Sequence, residues 1–251
     1  MNLRQTQDIG FGSFIVLEND LIGNFILRHG YWEQHLYAIY SQFIKPEHVI
    51  IDAGANIGFH TIQFAKLGKL VYAFEPQSLI FNLLSTNILM NDVNENVKQY
   101  RLGLYNDDAI LNMQSIEQFT EPNGVLNLGG RGVTTDQIDT EKIDLVSWDK
   151  HFSNVEHVDF IKMDIQGAEL SALKGMEKLL KKSKPWMLLE NYDNENDARV
   201  VEYLTSIGYE IYRPMNALPN EDCICIHKDY EQRNELKSFL SETKIDWKIY
   251  N

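Results

Sequence analysis

The stretch Val49-Ile50-Ile51-Asp52-Ala53-Gly54-Ala55-Asn56-Ile57-Gly58-Phe59-His60-Thr61 restricts the possible folds more than any other part of this chain. An apolar run ends in an acidic residue, a glycine turn follows, and a helical pattern begins at about Gly58. A buried parallel strand that enters a helix through a tight turn has this form. Glycine permits backbone geometry that side chains block, and it lets a ligand lie close to the main chain. The start of the helix offers unbonded backbone N–H groups, a common nucleotide-binding device.

Two cofactor classes compete for such a turn. A dinucleotide fingerprint needs glycines at the first, third and sixth places of its loop. Counted from Gly54, those places hold Gly54, Asn56 and Phe59, so the pattern fails at two of them. The turn instead reads acidic-x-Gly-x-x-x-Gly from Asp52 to Gly58, and this resembles motif I of the S-adenosylmethionine-dependent methyltransferases. A second apolar run, Leu70 to Phe74, ends in Glu75-Pro76. A carboxylate at the tip of the second strand can hold both ribose hydroxyls of a nucleoside.

A chain of 251 residues can bury a full core as one α/β domain. Acidic residues outnumber basic ones by 36 to 23, for a net charge of −13. That balance repels long nucleic acid unless a basic groove gathers locally, and the sequence shows none. The densest basic run, Lys178 to Lys184, closes a helix and suits its dipole. No apolar run is long enough to span a bilayer, and residues 1–8 lack the apolar core of a signal peptide. Cys223 and Cys225 lie two apart on an expected strand and read as packing. The expectation is a soluble, cytoplasmic protein.

The N-terminal segment, 1–46, is expected to form a hairpin from Phe14–Leu17 and Phe25–Leu27, then a helix carrying Trp32, Leu36, Ile39, Tyr40 and Phe43. This unit would cover one edge of the core domain, 47–251, and it offers Glu33 and His35 as polar contacts. Strands at Val97–Leu104, Lys142–Ser147, Val158–Met163 and Trp186–Leu189 alternate with helices, and an antiparallel extension is expected at Ala109–Met113. Tyr209–Tyr212 and Cys223–His227 read as antiparallel terminal strands, followed by a final helix at about Asp229–Leu240. The segment Glu121–Gly132, with four glycines and a proline, reads as a loop over the site, where Arg131 could meet an anionic group.

With these pieces in order, the chain resembles the FkbM-type methyltransferases. Tyr31-Trp32-Glu33, Ile51 to Gly58, Ala73-Phe74-Glu75-Pro76, Asp159 to Glu169, Leu173-Lys174-Gly175 and Leu188-Leu189-Glu190 carry the resemblance. Gln166 departs from it, since the family usually has glutamate there. The resemblance implies a Rossmann-like, doubly wound, mostly parallel seven-stranded sheet with helices on both faces. It also implies S-adenosyl-L-methionine as cofactor, and O-methylation of a hydroxyl on a sugar, glycan or small metabolite.

On this reading Asp52, Gly54, Ala55, Asn56 and Gly58 cradle the methionine and ribose portions of the cofactor. Glu75 and Pro76 hold the ribose, Leu104 lies near the adenine, and Asp164 borders both cofactor and acceptor. Asp164 and Glu190, at adjacent strand tips, and Glu169 are the catalytic candidates. One carboxylate acts as general base, or the pair binds a divalent cation that lowers the pKa of the acceptor. His60 reads as packing. The alternatives are a protein or RNA acceptor, or a catalytically silent cofactor-binding protein. The oligomeric state is left open.

Overall fold

The computed structural model describes residues 2–136, 141–190, 195–215, 222–243, 245 and 247–250, without the side chains of 195–197. The chain opens with β1 (Leu3–Gln5), which pairs antiparallel with β2 (Ile15–Leu17). The expected partner strand at Phe25–Leu27 is instead part of a helix, α1 (Leu21–His29). Its ends explain the difference. Asp20 caps the helix by accepting from Ile22 N and Gly23 N, at 3.1 and 3.2 Å. Gly30, at φ 76°, stops it in the left-handed region. A second helix, α2 (Gln34–Phe43), buries Leu36, Ile39, Tyr40 and Phe43 at helical spacing.

The core follows with β3 (Val49–Ala53), α3 (Phe59–Leu67), β4 (Leu70–Phe74), α4 (Ser78–Met90) and β5 (Val97–Tyr100). An outlying sheet then forms from β6 (Gly103–Leu104), β7 (Ala109–Met113), β8 (Val133–Thr134) and β9 (Lys142–Val146), in the order β6-β9-β7-β8. The expected third strand is therefore split, and Ala109–Met113 pairs antiparallel with Lys142–Val146 rather than extending the main sheet. After α5 (Trp148–His151) come β10 (Phe160–Met163), α6 (Glu169–Gly175), α7 (Glu177–Ser183), β11 (Trp186–Leu189), α8 (Glu195–Ser206), β12 (Tyr209–Pro214), β13 (Cys223–His227), α9 (Arg233–Glu242) and β14 (Trp247–Tyr250).

The fold is the expected Rossmann-like α/β architecture. Among the described residues the main sheet has eight strands, in the order β14-β12-β13-β11-β10-β3-β4-β5. The strand beyond the expected seven is β14, which pairs with β12 at the edge. Only β13 and β14 run against the others; β12 shares the common direction. The chain starts in the middle at β3, winds outward to β5, then crosses back to β10. Between β3 and β10 lies the switch point, beyond whose strand tips a doubly wound fold offers its crevice. Apolar side chains fill both faces of the sheet. One face packs Tyr40, Phe64, Phe160 and Trp186, the other Ile51, Phe74, Trp148 and Leu180.

Asn87 and Asp20 are among the side chains that fasten the N-terminal unit to this core. Asn87, wholly buried on α4, accepts from Ile15 N at 2.6 Å and donates to Ile15 O and Ile57 O at 3.0 and 2.8 Å. Asp20 uses its second oxygen to accept from Leu128 N at 3.0 Å, far along the chain. Asp20→Ala removes the α1 cap and strands that buried N–H, a loss of about 2–3 kcal/mol. For a chain of this size the expected drop in thermal midpoint is about 4–10 °C, read by differential scanning calorimetry. An unchanged midpoint would show that this tie carries no stability.

Candidate active site

A cavity of about 790 Å³ opens beyond the tips of β3, β4, β10 and β11, within the size range of small-molecule sites. The glycine turn forms its floor. Gly54 sits at φ +80°, and a Cβ there would lie 1.8 Å from the backbone oxygen of Asp164. The glycine is thus required where the turn after β3 presses on the end of β10. Gly58, at φ +90°, answers a different need: its Cβ would meet Leu84 on α4 at 2.7 Å. Gly54, Ala55 and Asn56 line the cavity, and Gly58 does not.

Glu75 is 3% exposed and lines the cavity with Pro76 and Gln77. Its two oxygens accept from Asn56 N at 3.1 Å and from Gln77 N at 2.9 Å. Burial pushes its carboxyl up to about 7, against the pull of those two N–H groups. Asp52 is also buried. Its Oδ2 accepts from the Thr61 hydroxyl at 2.5 Å, while Oδ1 has no hydrogen-bond partner among the described residues. Phe74, Gly103, Leu104 and Leu145 supply an apolar wall. A buried orphan oxygen, a fixed carboxylate and an apolar slot around one turn fit a polar nucleoside with an aromatic base.

The opposite wall is acidic. Asp164 and Glu190 line the cavity at the tips of β10 and β11, bridged by the side-chain amide of Gln166. Lys162, 3% exposed on β10, places Nζ 3.5 Å from Asp164 Oδ2. Burial alone would lower the Lys162 ammonium, but the charges of Asp164, Glu33 and Asp222 outweigh it and hold the pKa above its ordinary value. Asp222 is driven the other way, up to about 8, by burial and the nearby Glu33. Among the described residues no group of three or more His, Cys, Asp or Glu side chains is placed to hold a metal ion.

Glu33 completes this wall from the N-terminal unit. It adopts a left-handed backbone, φ 45° and ψ 48°, at the start of α2, and its Oε2 meets His60 Nε2 at 2.8 Å. His60 Nδ1 in turn lies 3.2 Å from the Tyr40 hydroxyl. Burial opposes ionisation of Glu33, yet the His60 hydrogen bond and the Lys162 charge prevail and hold it down to about 2. His35, the other polar candidate on this helix, is exposed and lies outside the cavity.

Glu169 and Arg131 are placed differently from the other polar candidates, and the two cysteines pack as expected. Glu169 is 2% exposed and lines no part of the cavity; its Oε1 accepts from Ile165 N and Gly167 N, each at 3.2 Å. Burial pushes it, too, up to about 7. Arg131 lines the cavity, but its guanidinium is engaged within the chain. Its Nε donates to Gln114 O at 2.7 Å and its Nη1 to Gln77 Oε1 at 2.8 Å. These bonds, with Gln77 Nε2 donating to Leu128 O at 3.0 Å, pin the glycine-rich segment against the cavity. Cys223 and Cys225 are buried and form no disulfide.

Sequence reasoning left Lys162 and His60 out of the site. Lys162 carried a usable signal, since a lysine inside the apolar run Phe160-Ile161-Lys162-Met163 needs a buried countercharge. His60 carried none, because its partner Glu33 stands 27 positions away.

Comparison with known proteins gives the arrangement its relatives. The family model of the methyltransferase FkbM domain matches residues 52–211, more than half of the chain. A methyltransferase of Sordaria araneosa, sdnD, is 25% identical over 184 residues, covering 62% of this chain and 68% of its own. Methyltransferase 1 of Beauveria bassiana is 26% identical over 165 residues, or 57% of this chain and 61% of its own. Among solved structures, the FkbM methyltransferase of Methylobacillus flagellatus is similar with a TM-score of 0.54 and 21% identity. That match covers 73% of this chain but only 44% of the solved one. No helix among the described residues is long and apolar enough to cross a membrane. The chain belongs to the FkbM family of S-adenosylmethionine-dependent methyltransferases.

Proposed function

We propose that this protein transfers a methyl group from S-adenosyl-L-methionine to a hydroxyl of a sugar, glycan or other small metabolite. One observation carries the reading: Asp52, Gly54, Ala55, Asn56, Glu75 and the strand-tip carboxylates Asp164 and Glu190 all border one cavity. When bound, the cofactor supplies an electrophilic methyl group on a sulfonium. Asp52, Gly54, Ala55 and Asn56 border its methionine and ribose portions, Glu75 and Pro76 hold the ribose, and Leu104 packs on the adenine. Gly58 and Glu169 act one step back, the first by seating the turn on α4 and the second by bonding the 165–167 backbone.

An acceptor hydroxyl must give up its proton as it gains the methyl group. Asp164 and Glu190, half-buried at the tips of β10 and β11, stand ready to receive that proton. A cavity of about 790 Å³, lined on one side by Asn127, Gly129 and Gly130, has the size of a small-molecule site, which favours a compact acceptor. The net charge of −13 argues in the same direction against RNA.

Two measurements test the reading. Calorimetry with S-adenosylhomocysteine is expected to show one saturable site, and absence of binding would end the proposal. Incubation with methyl-labelled cofactor and the small-molecule fraction of cell extracts, followed by mass analysis, is expected to show label in a hydroxylated product. Asp164→Asn should lower that transfer at least a hundredfold while leaving the S-adenosylhomocysteine Kd within about threefold. Unchanged transfer would remove Asp164 from the chemistry.

A further inference from the structure

The most unusual feature of the acidic wall is the residue between its carboxylates. Gln166 sits at φ +54°, a left-handed geometry that a β-carbon tolerates poorly, and this turns its side chain back across the strand tips. Its Nε2 lies 2.7 Å from Asp164 Oδ1 and 2.6 Å from Glu190 Oε2. Both neighbours are carboxylate oxygens, which accept, so the end of the amide between them is its nitrogen and not its oxygen. One NH₂ group therefore points one hydrogen at each carboxylate. On the far side of Asp164, Lys162 Nζ approaches Oδ2 at 3.5 Å.

A space between two facing carboxylates is where a proton or a divalent cation ordinarily resides, because two unscreened negative charges at this separation repel. Here an uncharged donor fills that space from within the chain. In this orientation the amide offers a metal no lone pair, so an ion entering there must break both hydrogen bonds and turn the amide oxygen inward. The pair as it is bonded here therefore disfavours the divalent-cation arrangement.

We propose that Gln166 is a positioning residue that silences a latent divalent-cation site. Its amide bridge holds Asp164 and Glu190 together and lets the pair work without a metal. A single substitution should uncover the site. In Gln166→Glu an oxygen replaces the bridging nitrogen, and three carboxylates converge where two were held by a donor. Such a cluster takes up a cation or a proton, and at pH 8 hard divalent ions with oxygen preference are the better match. The geometry stands by itself; its meaning for catalysis rests on the methyl-transfer reading above.

Titration with Mn²⁺ at pH 8, followed by calorimetry and by electron paramagnetic resonance, tests the proposal on the whole 251-residue chain. Wild type and Asp164→Asn are expected to bind Mn²⁺ alike, with only the weak background of an acidic surface. Gln166→Glu is expected to gain a saturable site at least about tenfold tighter than that background, and Gln166→Glu/Asp164→Asn should lose it again. Saturable Mn²⁺ binding by wild type that disappears in Asp164→Asn would overturn the proposal, and this comparison stands even if Gln166→Glu fails to fold. A folded Gln166→Glu that binds S-adenosylhomocysteine yet gains no Mn²⁺ site would overturn it as well. S-adenosylhomocysteine binding by none of the proteins would instead end the cofactor reading, while the Mn²⁺ comparisons would still decide the role of Gln166.

Discussion

Gly54→Ala is expected to abolish measurable S-adenosylhomocysteine binding and to lower the thermal midpoint by about 4–20 °C. The added methyl group would stand 1.8 Å from the backbone oxygen of Asp164. No side-chain rotation relieves a clash with main chain, so either the turn after β3 or the tip of β10 must move. The backbone at φ +80° adds about 1–2 kcal/mol of strain for any residue with a Cβ. Overpacking of this kind costs about 1–3 kcal/mol more, and each kcal/mol shifts the midpoint of a chain this long by about 2–4 °C. The same displacement separates the cofactor turn from Asp164, so binding suffers beyond the loss of stability. Gly58→Ala supplies the contrast: its obstacle is the flexible end of Leu84, and a smaller loss is expected. Equal binding by Gly54→Ala and wild type would show that the two strand tips do not need this approach.

Glu75→Gln is expected to weaken S-adenosylhomocysteine binding about a hundredfold or more, since two hydrogen bonds from ribose to a charged acceptor are lost or reversed. The same group predicts a pH dependence. The Glu75 carboxyl is raised to about 7 in the ligand-free protein, and ribose hydroxyls bond best to its ionised form. Affinity should therefore rise with pH through about 7, level off above it, and fall by up to tenfold per unit below. Stability takes the opposite sign. A carboxyl whose folded pKa is raised favours the folded state most below its unfolded value near 4.5, and that contribution is lost as pH climbs through 7. The loss amounts to about 3 kcal/mol for this group. Ligand-free protein should thus melt lower at pH 8 than Glu75 alone would allow at pH 5, while the thermal shift produced by ligand grows. Calorimetry from pH 5.5 to 8.5 checks both trends. An affinity slope that persists in Glu75→Gln would assign it to another carboxyl.

The parts of the site that were legible in the sequence are those written within a few residues. Asp52 to Gly58 and Glu75-Pro76 each join an apolar strand to its own tip, so local pattern and place at the cavity's edge coincide there. Asp164 and Glu190 were legible for the same reason. Phe25-Ile26-Leu27 misled because a short apolar run suits either a strand or a buried helix face, and the caps Asp20 and Gly30 decide it. The edge strand β14 escaped notice because Trp247-Lys248-Ile249-Tyr250 is half polar and its pairing depends on β12, more than thirty positions earlier. Long-range pairing hid Glu33–His60 and Arg131–Gln77 in the same way. Such contacts depend on how helices and sheets are stacked, and no period along the chain records that.

Asn87 touches no part of the cavity, yet it grips the second strand of the chain with one hand and the end of the glycine bend with the other. Pulling on the amino terminus would therefore directly load the bend that borders the cavity. Trimming residues 1–17 should be felt there before it is felt in the sheet, as faster amide hydrogen exchange around Ile57.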